Sequence, residues 1–152
     1  MKLSLDSDVA IEVMRGRRPH YRTWLQEAQV KGVSLHMSSI VFHELMFGAM
    51  ASARPEHQMR LVEWLAAQME LHAWTPDDAM VAARIRTDLK LNGSNIGSLD
   101  TLIAGQAING GWTLVTGNLN DFFRIPHLDL LSWSDPAGPQ DRAALRGRFP
   151  TK

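Results

Sequence analysis

Asp6 closes a short apolar strand pattern, Leu3-Ser4-Leu5. Glu44 interrupts the apolar run Ile40-Val41-Phe42-His43-Glu44-Leu45-Met46-Phe47. A buried, unpaired carboxylate is costly, so burial of Glu44 calls for a cation, a proton or a metal. Asp100 falls in the first turn of a predicted helix, where the helix dipole favours the ionised form. Thr116-Gly117-Asn118 closes a second strand pattern, with Asp121 one turn further on. Ionised carboxylates are what a hard divalent cation such as Mg²⁺ requires. The chemistry in view is therefore the binding of such a cation. Each residue also has an ordinary reading. Asp8 and Asp100 can serve a helix N-terminus, Glu44 can be a solvated helix residue, and Asp121 an acid of a loop or helix turn. His43 is expected to satisfy a local hydrogen bond rather than bind metal, and a zincin reading of His43-Glu44 fails because Phe47 stands where H-E-x-x-H needs its second histidine.

The elements that must position these residues alternate between strand and helix. Strands are expected over 3–5, 33–37, 70–74, 112–116 and 128–131. Ser7 or Asp8 is expected to cap a short helix ending at Gly16, and a second helix covers 19–30. Ser38 or Ser39 opens an apolar helix to about Ala51, and Pro55 opens the next, to about Met69. Thr75-Pro76-Asp77-Asp78 is a helix start with a cap, a proline at the first position and an acid three residues after the cap. Ser98 is expected to cap a helix over 99–108, and 119–123 forms one helical turn. The pattern implies an α/β, three-layer fold: a central, mostly parallel sheet of about four to five short strands with helices on both faces. Ligands of such sheets bind beyond the carboxyl ends of the strands. If the first strand and the 112–116 strand are neighbours, Asp6, Asn118 and Asp121 share one crevice.

The bulk properties narrow the classes. The 152 residues suit one domain with a core of its own, and 45% are hydrophobic. The absence of cysteine excludes disulfide scaffolds, thiol catalysis and cysteine metal sites. Sixteen basic and sixteen acidic residues balance, so a nucleic-acid partner needs a local basic patch rather than bulk charge. No apolar run approaches a membrane span, and Asp6 comes too early for a signal-peptide core, so a soluble cytoplasmic protein is expected. There is no P-loop, no G-x-G-x-x-G and no G-x-S-x-G. The five tryptophans are core candidates rather than base-stacking platforms. From Ser134 the composition shifts to Pro, Gly and Arg, so the expected division is a domain over 1–133 and a mobile tail over 134–152.

Taken in order, the motifs resemble a PIN-domain ribonuclease, specifically a toxin of the VapC type from a toxin–antitoxin pair. They are Leu5-Asp6-Ser7-Asp8-Val9; Ser38-Ser39-Ile40 before Glu44-Leu45-x-x-Gly48-Ala49; and Ile96-Gly97-x-x-Asp100-x-Leu102-Ile103-Ala104. Leu114-Val115-Thr116-Gly117-Asn118-x-x-Asp121-Phe122, Arg124-Ile125-Pro126 and Trp133 follow. The resemblance implies that Asp6, Glu44 and Asp100 hold Mg²⁺ or Mn²⁺, and that Asn118 or Asp121 completes the site. Thr116 and Ser7 match small hydroxyl positions that orient carboxylates or a metal-bound water. Asp8 departs from the family's usual Asn and adds a negative charge beside Asp6. The resemblance further implies cleavage of single-stranded or loop RNA, in tRNA or rRNA. It implies a homodimer, a cognate antitoxin as inhibitor, and contact with operator DNA only through that antitoxin.

RNA would need positive charge outside the acidic crevice. Arg15, Arg84, Arg86 and Arg124 are the candidates, with Arg17 and Arg18 beside the first. Each could equally be a solvated surface charge. Helices near Met46, Met50, Leu61 or Leu65 could form an apolar groove for a partner helix, or could be core. Two other functions compete. A haloacid-dehalogenase-type phosphatase would use Asp6 as nucleophile and Asp8 as acid–base, but no Lys follows Thr116 before Lys152 and Glu44 and Asp100 are left without roles. A catalytically inactive PIN-fold binding module would not require a carboxylate inside the 40–47 apolar run.

Overall fold

The computed structural model describes residues 1–149. Among them a single sheet carries six strands: β1 (Lys2–Leu5), β2 (Ser34–Ser38), β3 (Glu70–His72), β4 (Thr113–Val115), β5 (Leu130–Ser132) and β6 (Gln140–Asp141). Their spatial order is β3-β2-β1-β4-β5-β6. Every pairing is parallel except β5 with β6. The sheet therefore has one strand more than the upper expectation, and the added strand comes from the C-terminal segment.

β1 lies between β2 and β4, with Leu5 beside Val115. This is the adjacency the crevice argument required. Parallel strands need crossovers, and helices supply them. The helices are α1 (Ser7–Arg15), α2 (Pro19–Val30), α3 (Ser39–Met50), α4 (Pro55–Ala66), α5 (Pro76–Leu91), α6 (Ser98–Gly110), α7 (Leu119–Phe122) and α8 (Arg142–Leu145). β1 and β4 are central strands covered on both faces, so Leu3, Ser4, Leu5, Leu114 and Val115 are all buried. Val9, Val13, Val41, Leu45, Leu65, Ile103 and Ala104 from the helices complete the core. Gly105 permits the tightest helix contact: a Cβ there would meet Ala82 backbone atoms of α5 at 2.8–2.9 Å. Thr75 and Asp78 form the reciprocal cap expected at the start of α5.

Residues 134–149, part of the segment expected as a mobile tail, carry β6 and α8. β6 extends the sheet, and Asp141 caps α8 by accepting from Ala144 N–H at 2.9 Å. Leu145 is buried. Arg142 donates to Phe123 O at 2.6 Å and Leu128 O at 3.2 Å while lying over the Phe123 ring. The Pro/Gly-rich composition reflects turns rather than a lack of packing. The last three positions of the expected tail, 150–152, lie outside the described residues.

Candidate metal centre

The carboxyl ends of β1, β2 and β4 open onto one crevice. Asp6 leaves β1 as the N-cap of α1, in place of the expected Ser7 or Asp8. Its Oδ1 accepts from Ser7 N–H at 2.8 Å, and its Oδ2 accepts from the Thr116 hydroxyl at 2.8 Å. Thr116 Oγ1 in turn accepts from Asn118 N–H at 3.0 Å. The Asn118 amide nitrogen donates to Asp100 Oδ2 at 3.1 Å and to Asp121 Oδ2 at 3.2 Å. One hydrogen-bonded chain thus runs from Asp6 through Thr116 and Asn118 to Asp100 and Asp121. Asn118 stands as a hinge between two carboxylates, where the sequence left open which of Asn118 and Asp121 acts.

Asp8 is not the cap but a first-turn residue of α1. Its Oδ2 accepts from Gly117 N–H at 2.9 Å, tying the β4–α7 loop to α1. A Cβ on Gly117 would come within 2.5 Å of that oxygen, so glycine permits this close approach. Ser38 caps α3 through Ile40 N–H, and α3 carries Glu44 toward the crevice. Asp100 enters on the first turn of α6, whose N-cap is Gly97 rather than the expected Ser98.

The electrostatics are one-sided. Burial, then the charge of Asp8, pushes Asp6 up to about 7 despite the hydrogen bonds from Thr116 and Ser7. Burial and the neighbouring Asp100 raise Glu44, against the pull of the facing Ser7 hydroxyl. Burial and Asp121 raise Asp100, against its bond from Asn118. Asp8 is raised too, because its carboxylate is set into the crevice even though the residue as a whole is exposed. Glu44 Oε1 is buried without a hydrogen-bond partner. Among the described residues none of these acids pairs with a lysine or arginine. Carboxylates arranged this way must share protons or accept a cation.

The donors are carboxylate oxygens with a hydroxyl and an amide behind them, a hard set that suits Mg²⁺ or Mn²⁺ rather than a softer ion. They flank the crevice rather than closing on one point. Among the described residues, three ligand atoms from His, Asp or Glu side chains come within 4.8 Å of one another only at His36, Glu70 and His72. Mg²⁺ dehydrates reluctantly, and water between ion and side chain suits such spacing.

The arginines separate. Arg84 and Arg124 line one cleft with Ile85, Leu89, Pro126 and His127. Arg86 shares α5 but does not line that cleft, and Arg15 stands at the far end of α1. All four are exposed. Of the groove candidates, Leu65 is core, whereas Met50 is exposed, as are Phe47 on α3 and Trp64 on α4.

The PIN domain family matches residues 3–128. A tRNA(fMet)-specific endonuclease VapC of Salmonella typhimurium is 30% identical over 133 residues, covering 88% of this chain and 98% of that protein. Ribonuclease VapC2 of Rickettsia felis is 31% identical over 129 residues, covering 85% and 96%. Among solved structures, VapBC2 from Rickettsia felis bound to a promoter DNA fragment superposes with a TM-score of 0.83 at 29% identity, covering 88% of this chain and all of its counterpart. DNA-bound VapBC from Salmonella typhimurium gives 0.81 at 30% identity, covering 88% and 98%.

Proposed function

The chain belongs to the PIN-domain family, and on that footing we propose that it is the endoribonuclease toxin of a toxin–antitoxin pair, hydrolysing RNA with Mg²⁺ or Mn²⁺ held by Asp6, Glu44, Asp100 and Asp121. The observation that carries this reading is the uncompensated acidity of the crevice. Asp6 is pushed up to about 7, Glu44 Oε1 has no partner, and no lysine or arginine pairs with the surrounding acids among the described residues. A divalent ion turns that cost into a binding site, because it favours the ionised form of every acid at once.

When bound, the ion supplies an activated water and neutralises charge on the scissile phosphate. The protein's residues do the rest. Thr116 holds Asp6 in one rotamer, and Asn118 sets the angle between Asp100 and Asp121. Asp8 fixes the loop that carries Thr116 and Asn118. Arg84 and Arg124 offer positive charge to the RNA backbone outside the crevice. The exposed apolar side chains Phe47, Met50 and Trp64 on α3 and α4 suit an amphipathic antitoxin segment. The relatives' names support tRNA among the RNA substrates. The VapBC complexes on DNA support a cognate antitoxin through which the toxin reaches operator DNA; a homodimeric toxin is part of the same proposal. Neither competing function accounts for the site. An inactive module leaves the buried, unpartnered Oε1 of half-buried Glu44 unexplained, and the phosphatase reading gives no role to Glu44 or Asp100.

The test is incubation of purified, antitoxin-free protein with total tRNA and rRNA in Mg²⁺, Mn²⁺ or EDTA, beside Asp100→Asn. Discrete fragments that require metal and Asp100 are expected. Water attack leaves no 2′,3′-cyclic phosphate, so fragments ending in a cyclic phosphate, or cutting that persists in EDTA, would refute the mechanism.

A further inference from the structure

Outside the crevice, the end of the sheet where β2 meets β3 gathers two imidazoles and a carboxylate. Pairing sets His36 opposite Glu70, and Ser38 opposite His72. Side chains two apart on a strand share a face, so Glu70 and His72 stand together beside His36. His36 Nδ1 lies 2.7 Å from His72 Nε2 and 3.7 Å from Glu70 Oε2, and His72 Nε2 lies 3.5 Å from Glu70 Oε1. A tetrahedral ion with bonds of about 2.0–2.1 Å holds its ligand atoms about 3.3–3.4 Å apart. The two histidine–carboxylate distances are already near that value, though they end on different oxygens of Glu70, so the hydrogen-bonded histidine pair must open and the exposed carboxylate must turn to present one oxygen.

We propose that His36, Glu70 and His72 form a second metal site, for a zinc-class transition ion, that clamps the edge strand β3 onto β2. Two nitrogens and one oxygen are a borderline donor set, unlike the all-oxygen crevice, so the two sites select different ions. The surroundings are those of a built ligand. His36 is buried, its Nε2 lies 2.8 Å from Ser34 Oγ, and Trp112 stacks on its ring at 5.0 Å with an interplanar angle of 8°. A hydrogen bond at the remote nitrogen together with ring stacking fixes the orientation of a ligating histidine. Glu70 completes the group from the exposed side, where an ion can enter from solvent. The clamp has structural value because β3 spans only Glu70–His72 and forms the edge of the sheet.

The experiment is equilibrium titration of the full chain with Zn²⁺ and Co²⁺ near neutral pH under excess Mg²⁺. Stoichiometry, the visible Co²⁺ spectrum and tryptophan emission are read together. The expected result is one ion per chain, with Co²⁺ bands of a nitrogen-ligated site and quenching that is lost in Trp112→Phe. Binding should persist in the Asp6→Asn/Asp100→Asn double variant. It should weaken roughly 10–100-fold or more in His72→Ala and in Glu70→Gln, since even partners outside the coordination shell carry that much affinity. Glu70 is exposed, so Glu70→Gln tests the site without threatening the fold. Unchanged affinity in both site variants, loss of binding in the crevice double variant alone, or no binding of either ion would each overturn the proposal.

Discussion

Replacing Asp6 by Asn should stabilise the metal-free protein, and by an amount that grows with pH. Asp6 is 3% exposed and its pKa rises from 3.8 to about 7 on folding. A shift of about three units corresponds to roughly 4 kcal/mol of penalty on the ionised form. The folded state binds a proton at Asp6 more tightly than the unfolded chain does, so this group weakens stability as pH rises above the unfolded value. Linkage places about 2 kcal/mol of that change between about pH 5.5 and pH 8. His36 works in the opposite direction, since its pKa is lowered by burial. Its contribution is common to both proteins and cancels in the difference between wild type and variant. Asn keeps an oxygen for Ser7 N–H and offers its amide to Thr116 Oγ1, so the cap survives. The assay is urea denaturation in EDTA at several pH values, reading the midpoint at constant slope. The difference should widen by about 2 kcal/mol toward high pH, and saturating Mg²⁺ should reverse its sign by binding only the wild-type fold. Parallel stability curves in EDTA, with no change in the difference across that range, would refute the electrostatic account.

Three further outcomes follow from the packing. Gly117→Ala places a Cβ within 2.5 Å of Asp8 Oδ2; Asp8 can swing away, so stability should change by less than about 1 kcal/mol, while RNA cleavage should fall about 10- to 100-fold as the loop shifts. Gly105→Ala drives a methyl into Ala82 backbone and should cost about 1–3 kcal/mol, read from the urea midpoint. Leu145→Ala, in the segment that carries β6 and α8, should cost about 2–5 kcal/mol because Leu145 is buried; an unchanged midpoint would mean that this segment does not pack in solution.

What was legible in the sequence is what short-range chemistry specifies. Asp6 after Leu3-Ser4-Leu5, Glu44 inside its apolar run and Asp100 on a first helical turn were each visible from local pattern, and strand order then brings their elements to one crevice. The α5 capping box was legible for the same reason. Cross-strand register was not. The meeting of His36 with Glu70 and His72 depends on how β2 pairs with β3, a relation between segments more than thirty residues apart in sequence. The one signal was the spacing of Ser34, His36 and Ser38, and of Glu70 and His72, at intervals of two. β6 was hidden because two residues carry no readable alternation, and the packing of Arg142 and Leu145 that holds the segment down is long-range. Asp8 looked like a cap because the helix start is local, whereas its bond to Gly117 spans 109 positions. Asn118 could not be distinguished from Asp121 by sequence because both lie in the crevice, joined by one hydrogen bond.

The central claim is that the crevice holds the ion on which RNA cleavage depends. Mn²⁺ is the direct probe, because its electron paramagnetic resonance signal reports free and bound ion separately. Binding should be measured beside tRNA cleavage over the same Mn²⁺ range, for wild type, Asp6→Asn and His72→Ala. The account predicts that cleavage follows Mn²⁺ occupancy in wild type and His72→Ala alike, and that Asp6→Asn loses both together. Cleavage that survives in Asp6→Asn without bound Mn²⁺, or occupancy that is unchanged in that variant, would contradict it.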